Sequence, residues 1–256
     1  MAPLSKAEKR QVVSAFLEFI MSSKDSALQG RLARVHERIS AAARAAGRDP
    51  AEITLLAVSK AFGAQDVLAA TGAGLRSFGE NYVQEGVDKI ARVREAAPAL
   101  ALDWHFIGPI QSNKTRALAE AFSWVQSVDR ARIAQRLAEQ RPPDRPPLNV
   151  LLQVNISGEE TKSGVPVDQV QALAATVAAL PRLRLRGLMA IPAPGKGPAE
   201  QRPPFARMRR LLETLRTSGL DVDTLSMGMS DDLEAAILEG ATMVRVGTAI
   251  FGARAP

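Results

Sequence analysis

The run "LLAVSK", residues 55–60, sets apolar and small side chains ahead of an ammonium group. Read as a strand, it puts Lys60 on the same side as Thr54, Leu56 and Val58, because strand side chains alternate between faces. If that face lines an enclosed interior, the amine stands at the rim. Two chemistries are open to it. It can be a lysine with a buried stem whose head reaches water. It can also be a nucleophile toward a carbonyl carbon, since partial desolvation and nearby cations favour the neutral amine that attacks.

Two other segments bear on the choice. "SMGMSDDLEAAILEG" and "MVRVGTAIFGAR" each run from an apolar stretch through a Ser-, Gly- or Thr-containing turn into a helical pattern. Backbone N–H groups at such turns, with the hydroxyls of Ser230 and Thr248 and the open backbone of Gly247, can hold a phosphate. Ordinary helix capping by Asp231 and Gly247 is the plainer alternative. Arg245 shares parity with Met243 and is expected to point inward, where a guanidinium needs an acceptor. A carboxylate or a ligand's ring nitrogen would serve. A carbonyl-reactive lysine, a phosphate cradle and an inward arginine together fit pyridoxal 5′-phosphate (PLP).

These residues need a scaffold that brings strand ends together. Eight β-like runs occur near 53–59, 75–79, 102–107, 123–128, 148–155, 183–189, 222–227 and 242–246, with helical patterns between them. Val83, Val87 and Ile90 form one helical stripe, and Ile133 with Leu137 another. Pro166 opens a third, Phe205 to Leu215 mark a fourth, and Asp231 opens a fifth. The count predicts a single α/β domain, a TIM-type (β/α)8 barrel with extra N-terminal helical sequence, over residues 26–256. No GxGxxG follows the first run, which weakens a dinucleotide-binding sheet. In such barrels chemistry sits at the carboxyl ends of the strands. Those ends carry Lys60, Glu80 with Asn81, Gly108, Ser127 with Asp129, Asn155, Met189, Met227 to Ser230, and Arg245 to Thr248. Ser26 is expected to cap the helix that precedes the first strand. Residues 1–25 read as an extension without an assigned role. The Pro-rich stretches "RPPDRPP" and "PAPGKGPAEQRPP" read as loops, the first a spacer and the second on the strand-to-helix side.

Composition narrows the function classes. The 256 residues are 46% hydrophobic and hold no cysteine and two histidines. Thiolate chemistry, disulfides and polyhistidine metal sites are thereby excluded, and a cytoplasmic location is expected. No apolar run reaches the roughly 20 residues of a membrane helix. The charge of +6 invites a nucleic-acid reading, but aromatics are only 4%, too few for base stacking. The arginines lie mainly in helical stretches, as solvated faces.

The motifs "LLAVSK", "FGENYVQEG", "WHFIGPIQSNK", "QVNISGEETKSG", "GLMAIP", "LSMGMSDDLEAAI" and "VRVGTAIFGAR" resemble those of the pyridoxal phosphate homeostasis proteins, over about residues 30–254. That family is similar to the barrel domain of bacterial alanine racemase. The resemblance implies that Lys60 condenses with the aldehyde of PLP, and that Ser230, Gly247 and Thr248 hold its phosphate. It implies that Arg245 faces the pyridine nitrogen, that Asn81 lies near the ring hydroxyl and that Met227 lines the ring. It implies a role in vitamin B6 and amino-acid homeostasis, with PLP-dependent apoenzymes as recipients, rather than turnover.

Racemisation needs a second acid/base opposite the lysine. Tyr82 is expected to be committed within its turn and His36 to lie on an outer helix, which leaves His105 as the remaining base candidate, read as a satisfied structural histidine with a cofactor contact as the alternative. No appended domain is expected after "FGARAP", and a monomer is expected, with neither nucleic acid nor membrane as partner. A PLP-dependent racemase or lyase remains the first alternative. A Schiff-base aldolase acting on a phosphorylated substrate is the second.

Overall fold

The structure is a computed structural model that describes residues 6–159 and 163–252, with side chains from residue 26 onward. Each of the eight β-like runs forms a strand: β1 Thr54–Val58, β2 Ser77–Glu80, β3 Asp103–Phe106, β4 Trp124–Val128, β5 Leu148–Gln153, β6 Leu183–Met189, β7 Thr224–Ser226 and β8 Met243–Val246. All pair in parallel and in chain order. β8 returns to β1, with Thr54 opposite Met243 and Ala57 opposite Val246, and closes the barrel. Parallel neighbours need a crossover. Seven helices supply it: α2 Ala64–Gly72, α3 Val83–Ala96, α4 Thr115–Ala121, α5 Ala131–Gln140, α6 Val170–Ala178, α7 Pro198–Thr217 and α8 Leu233–Leu238. α1 (Lys6–Ala45) precedes the barrel and the short α9 (Thr248–Phe251) follows β8.

Strand alternation sorts the side chains into two regions. Leu55, Ala57, Phe78, Phe106, Val150 and Leu152 join the large apolar core shared with the helices. A separate small cluster of Trp124, Leu151 and Met189 belongs to the other face, the barrel interior. Polar side chains share that interior, as described below. The expected fold class therefore holds, and so does the helix-to-strand position of "RPPDRPP" between α5 and β5. That segment borders a cavity of about 410 Å³ lined by Arg94, Asp103, Trp104, Arg141 and Asn149 among others. Asp103 and Trp104 open β3, so the cavity lies at the amino ends of the strands. Neither Lys60 nor the Ser230 and Gly247–Thr248 turns line it.

Three local expectations need correction. α1 runs unbroken through Ser26, so Ser26 is an interior helical residue and not a cap. The stretch expected as a Pro-rich loop is helical from Pro198. Pro198 takes the first helical position, where a missing N–H costs nothing, and Glu200 Oε2 accepts the Lys196 N–H at 2.7 Å. α8 starts at Leu233 behind Asp232, whose Oδ1 accepts the Met229 N–H at 2.6 Å. The turn is therefore closed by Asp232 rather than Asp231. Glu160, Thr161 and Lys162 of "QVNISGEETKSG", the last residues 253–256, and the side chains of 1–25 lie outside the described residues.

Candidate functional site

Lys60 stands two residues past the end of β1, half-buried in a turn. No hydrogen bond or ion pair engages its amine among the described residues. Its flanks, by contrast, are held on both sides. Ser59 is wholly buried, and its hydroxyl donates to Glu80 Oε1 at 2.6 Å. The Ser59 carbonyl accepts from Lys89 Nζ at 2.7 Å. Lys89 also donates to Glu80 Oε1 at 2.6 Å and to Glu85 Oε1 at 3.1 Å. Glu85 Oε1 accepts the Ala61 N–H at 2.7 Å. Ala61 has φ of 66°, a left-handed conformation that costs a residue with a Cβ about 1–2 kcal/mol. Burial pushes the Glu80 carboxyl up, while its bonds from Lys89 and Ser59 pull it down. This cluster was not anticipated from sequence. The signal was present in Glu85 and Lys89, one helical turn apart and just past Glu80.

The β1–α2 loop packs against α9. Phe62 stacks on Phe251 with ring centroids 4.8 Å apart. Gly247 lies so close to Val58 that a Cβ there would stand 3.3 Å from the Val58 carbonyl oxygen. Gly247 is the N-cap position of α9, and Thr248, its first residue, is exposed. The first amides of a helix have no partner within it. In the neighbouring β7–α8 turn, Ser230 is half-buried and its hydroxyl has no partner among the described residues. α1 ties these two turns together. Arg38 Nη2 donates to the Ser230 carbonyl at 2.7 Å while its guanidinium pairs with Glu234 at 2.6 Å. Arg31 Nε donates to the Ile250 carbonyl at 2.6 Å.

Arg245 points inward, as its parity predicted. It is buried, and donates from Nη1 to Ser226 Oγ at 2.9 Å and from Nη2 to the Ala190 carbonyl at 2.8 Å. Burial lowers its pKa to about 10, with Asp232 opposing, so it stays charged at neutral pH. From Ser226 a chain of donors runs across the interior. The Ser226 hydroxyl donates to Gln126 Oε1 at 2.7 Å, and Gln126 Nε2 donates to His105 Nδ1 at 2.9 Å. Burial pushes the His105 pKa down to about 3. The ring is therefore neutral, which leaves Nδ1 free to accept. It stacks on Trp124 at 5.0 Å. His105 is thus a satisfied structural residue. Gln126 and Ser226 are polar residues on the inward face of apolar strands, which was the readable sign of this chain.

The remaining candidates separate. Asn81 follows β2, and its Oδ1 is buried with no partner among the described residues. Its backbone presses on Gly108, where a Cβ would lie 2.0 Å from the Asn81 carbonyl oxygen. No side chain other than glycine fits there, so the sequence at Gly108 shapes the mouth beside Asn81. Met227 is fully buried in the core shared with the helices and has the parity of Leu225, opposite to Ser226. The structure places it behind the barrel wall rather than on the interior. Tyr82, expected to be committed within its turn, is 64% exposed, with no hydrogen bond from its phenol among the described residues. It occupies the N-cap position of α3, and its carbonyl accepts the Gly86 N–H at 2.9 Å, so only the backbone is engaged. His36 is exposed on α1. No cluster of three or more metal-ligating side chains exists among the described residues.

The mouth thus presents an unengaged amine, an orphaned buried amide oxygen, two turns offering hydroxyls and N–H groups, and a buried guanidinium. This donor set suits an aromatic aldehyde with a phosphate tail. Residues 31–255 match the family model for the alanine racemase N-terminal domain. The chain is 61% identical over 229 residues to a pyridoxal phosphate homeostasis protein of Pseudomonas aeruginosa, covering 90% of this chain and 96% of that protein. It is 58% identical over 223 residues to the protein of that name in Escherichia coli K12, covering 87% and 95%. Among solved structures it resembles PipY of Synechococcus elongatus with PLP bound. There the identity is 35% and the TM-score 0.76, over 88% of this chain and 100% of PipY.

Proposed function

The chain belongs to the family of pyridoxal phosphate homeostasis proteins, on the barrel of the alanine racemase N-terminal domain, and on that premise we propose that it binds PLP at the barrel mouth and acts in vitamin B6 and amino-acid homeostasis as a carrier or regulator. One observation carries the assignment to particular residues. The loop bearing Lys60, whose amine is unengaged, packs through Phe62 on Phe251 of α9, while Gly247 at the start of α9 packs on Val58, the last residue of β1. A reactive amine and a phosphate cradle therefore share one opening. When bound, PLP supplies an aldehyde carbon and an electron-accepting ring. Lys60 offers the amine. Ser230, Gly247 and Thr248 hold the phosphate through hydroxyls and backbone N–H groups. Arg245 is assigned to the ring nitrogen, where a fixed cation keeps that nitrogen unprotonated and mutes the electron sink. Asn81 Oδ1 is assigned to the ring hydroxyl.

Holding is favoured over turnover, because the buried histidine is neutral and already bonded to Gln126. We place the protein in the cytoplasm as a monomer built on residues 26–256, delivering PLP to apoenzymes. Among the described residues no helix is long and apolar enough to cross a membrane. Borohydride reduction followed by peptide mass mapping tests the assignment. The phosphopyridoxyl mass is expected on Lys60, and its appearance on another lysine overturns the site. Lys60→Ala is expected to lose the visible absorbance and keep the far-UV spectrum.

A second reading is slow chemistry on an amino acid. The free phenol of Tyr82 favours it. Sustained exchange of an α-hydrogen with solvent deuterium, abolished by Tyr82→Phe, would establish it.

A further inference from the structure

The clamp around Lys60 has no role in the cradle itself, yet it absorbs a buried lysine, a buried glutamate and a strained alanine. Glu80 and Lys89 have side chains that are 0% and 4% exposed. Burying such a pair costs several kcal/mol per ion before their attraction offsets it, so an apolar pair would serve the fold as well. What the ions do here is donate to and accept from backbone. Lys89 reaches the carbonyl before Lys60, and Glu85 reaches the amide after it. Ser59 is fixed a second time through its hydroxyl and a third through its own N–H, which donates to the Gly79 carbonyl at 2.9 Å. Left-handed Ala61 then turns the chain sharply, and the Phe62 N–H returns to the Ser59 carbonyl at 3.0 Å. The Lys60 amine, by contrast, has no hydrogen bond or ion pair among the described residues.

We propose that Glu85 is a positioning residue for Lys60. Its carboxylate oxygen holds the Ala61 amide and so keeps the strained turn that aims the Lys60 amine into the mouth, with the Lys89–Glu80–Ser59 cluster fixing the other flank. This rests on the assignment of Lys60 as the PLP-condensing residue. The physical gain is preorganisation. An amine on a free loop loses backbone freedom each time it captures a ligand, whereas a clamped one has already lost it. Glu85 is the informative site because it is partly exposed, so its truncation leaves no buried charge stranded.

The experiment compares Glu85→Ala and Glu85→Gln with the wild-type chain. The glutamine keeps an oxygen for the Ala61 N–H but loses the charge that faces Lys89. PLP is titrated by visible absorbance, and amide hydrogen exchange is followed on the peptide containing Ala61 without PLP. Glu85→Ala is expected to weaken PLP binding about tenfold, the scale of one hydrogen bond to a charged group, and to speed exchange at Ala61. Glu85→Gln is expected to stay within about twofold of wild type in both. Equal losses in the two variants assign Glu85 to the Lys89 ion pair alone and overturn the proposal. So does unchanged exchange in Glu85→Ala. If the wild-type chain binds no PLP, the functional reading fails by itself, and exchange still reports whether Glu85 holds the turn.

Discussion

At the scale of single residues, a line of hydrogen-bond donors crosses the barrel interior. Arg245 donates to Ser226, Ser226 to Gln126, and Gln126 to His105. The sense of the chain is set at its end, because only a neutral imidazole can accept at Nδ1. This has a pH consequence. The folded pKa of His105 is about 3, below the unfolded value of about 6.5. Between those values the unfolded chain binds a proton that the folded chain refuses, so stability falls as pH drops through the window. The contribution is at most roughly 1.4 kcal/mol per pH unit. Urea melts of wild type and His105→Gln between pH 7 and 4 check it. The variant is expected to start less stable and to lose stability more shallowly on acidification. Parallel curves for the two proteins sink the assignment of a neutral, buried His105.

At the scale of elements, most of the architecture was legible because parallel strands buried on both faces read as apolar runs, and crossover helices as 3.6-residue stripes. The inward aim of Arg245 followed from parity alone. What stayed hidden depended on contacts between distant segments. Met227 keeps the parity of Leu225 and falls behind the wall, but the sequence did not show that this parity persists past Ser226, where the strand ends. Nor does the α3 stripe show that Lys89 turns inward toward β1 and β2. The role of α1 was hidden in the same way. Two of its arginines fasten carbonyls in the β7–α8 turn and in α9, while Leu28, Leu32, Val35 and Ile39 bury its inner face. α1 is therefore a brace for both arms of the proposed phosphate cradle. The Arg38–Glu234 pair is over a third exposed, and such pairs contribute little to stability. Arg38→Ala is thus expected to lower PLP affinity roughly three- to tenfold through the loosened Ser230 turn, with a melting temperature within a few degrees of wild type. Calorimetry and a PLP titration of the same preparation decide it. A large melting shift with unchanged affinity makes α1 a stabilising element only.

At the scale of the whole molecule, the proposed site is spread over parts of the chain far apart in sequence. β1 supplies the lysine, β2 and α3 clamp it, β7 and β8 supply the turns, and α1 braces them. The exposed large apolar side chains among the described residues, Tyr82, Ile191 and Met229, follow β2, β6 and β7, so they too lie on the mouth face. A ligand that joins such dispersed loops couples directly to barrel closure, because it binds the folded chain and not the unfolded one. At a PLP concentration 100 times the dissociation constant, linkage gives about 2.7 kcal/mol of added stability. For a domain of this size that is a rise of roughly 5–10 °C in melting temperature. Lys60→Ala removes the proposed covalent anchor but breaks no side-chain hydrogen bond or ion pair among the described residues. It is expected to melt with the wild-type chain when PLP is absent and to show a much smaller rise when PLP is added. Differential scanning calorimetry across a PLP series measures both. An equal rise in the two proteins would mean that the phosphate turns, rather than the amine, carry the binding energy, and the covalent assignment of Lys60 would have to be abandoned.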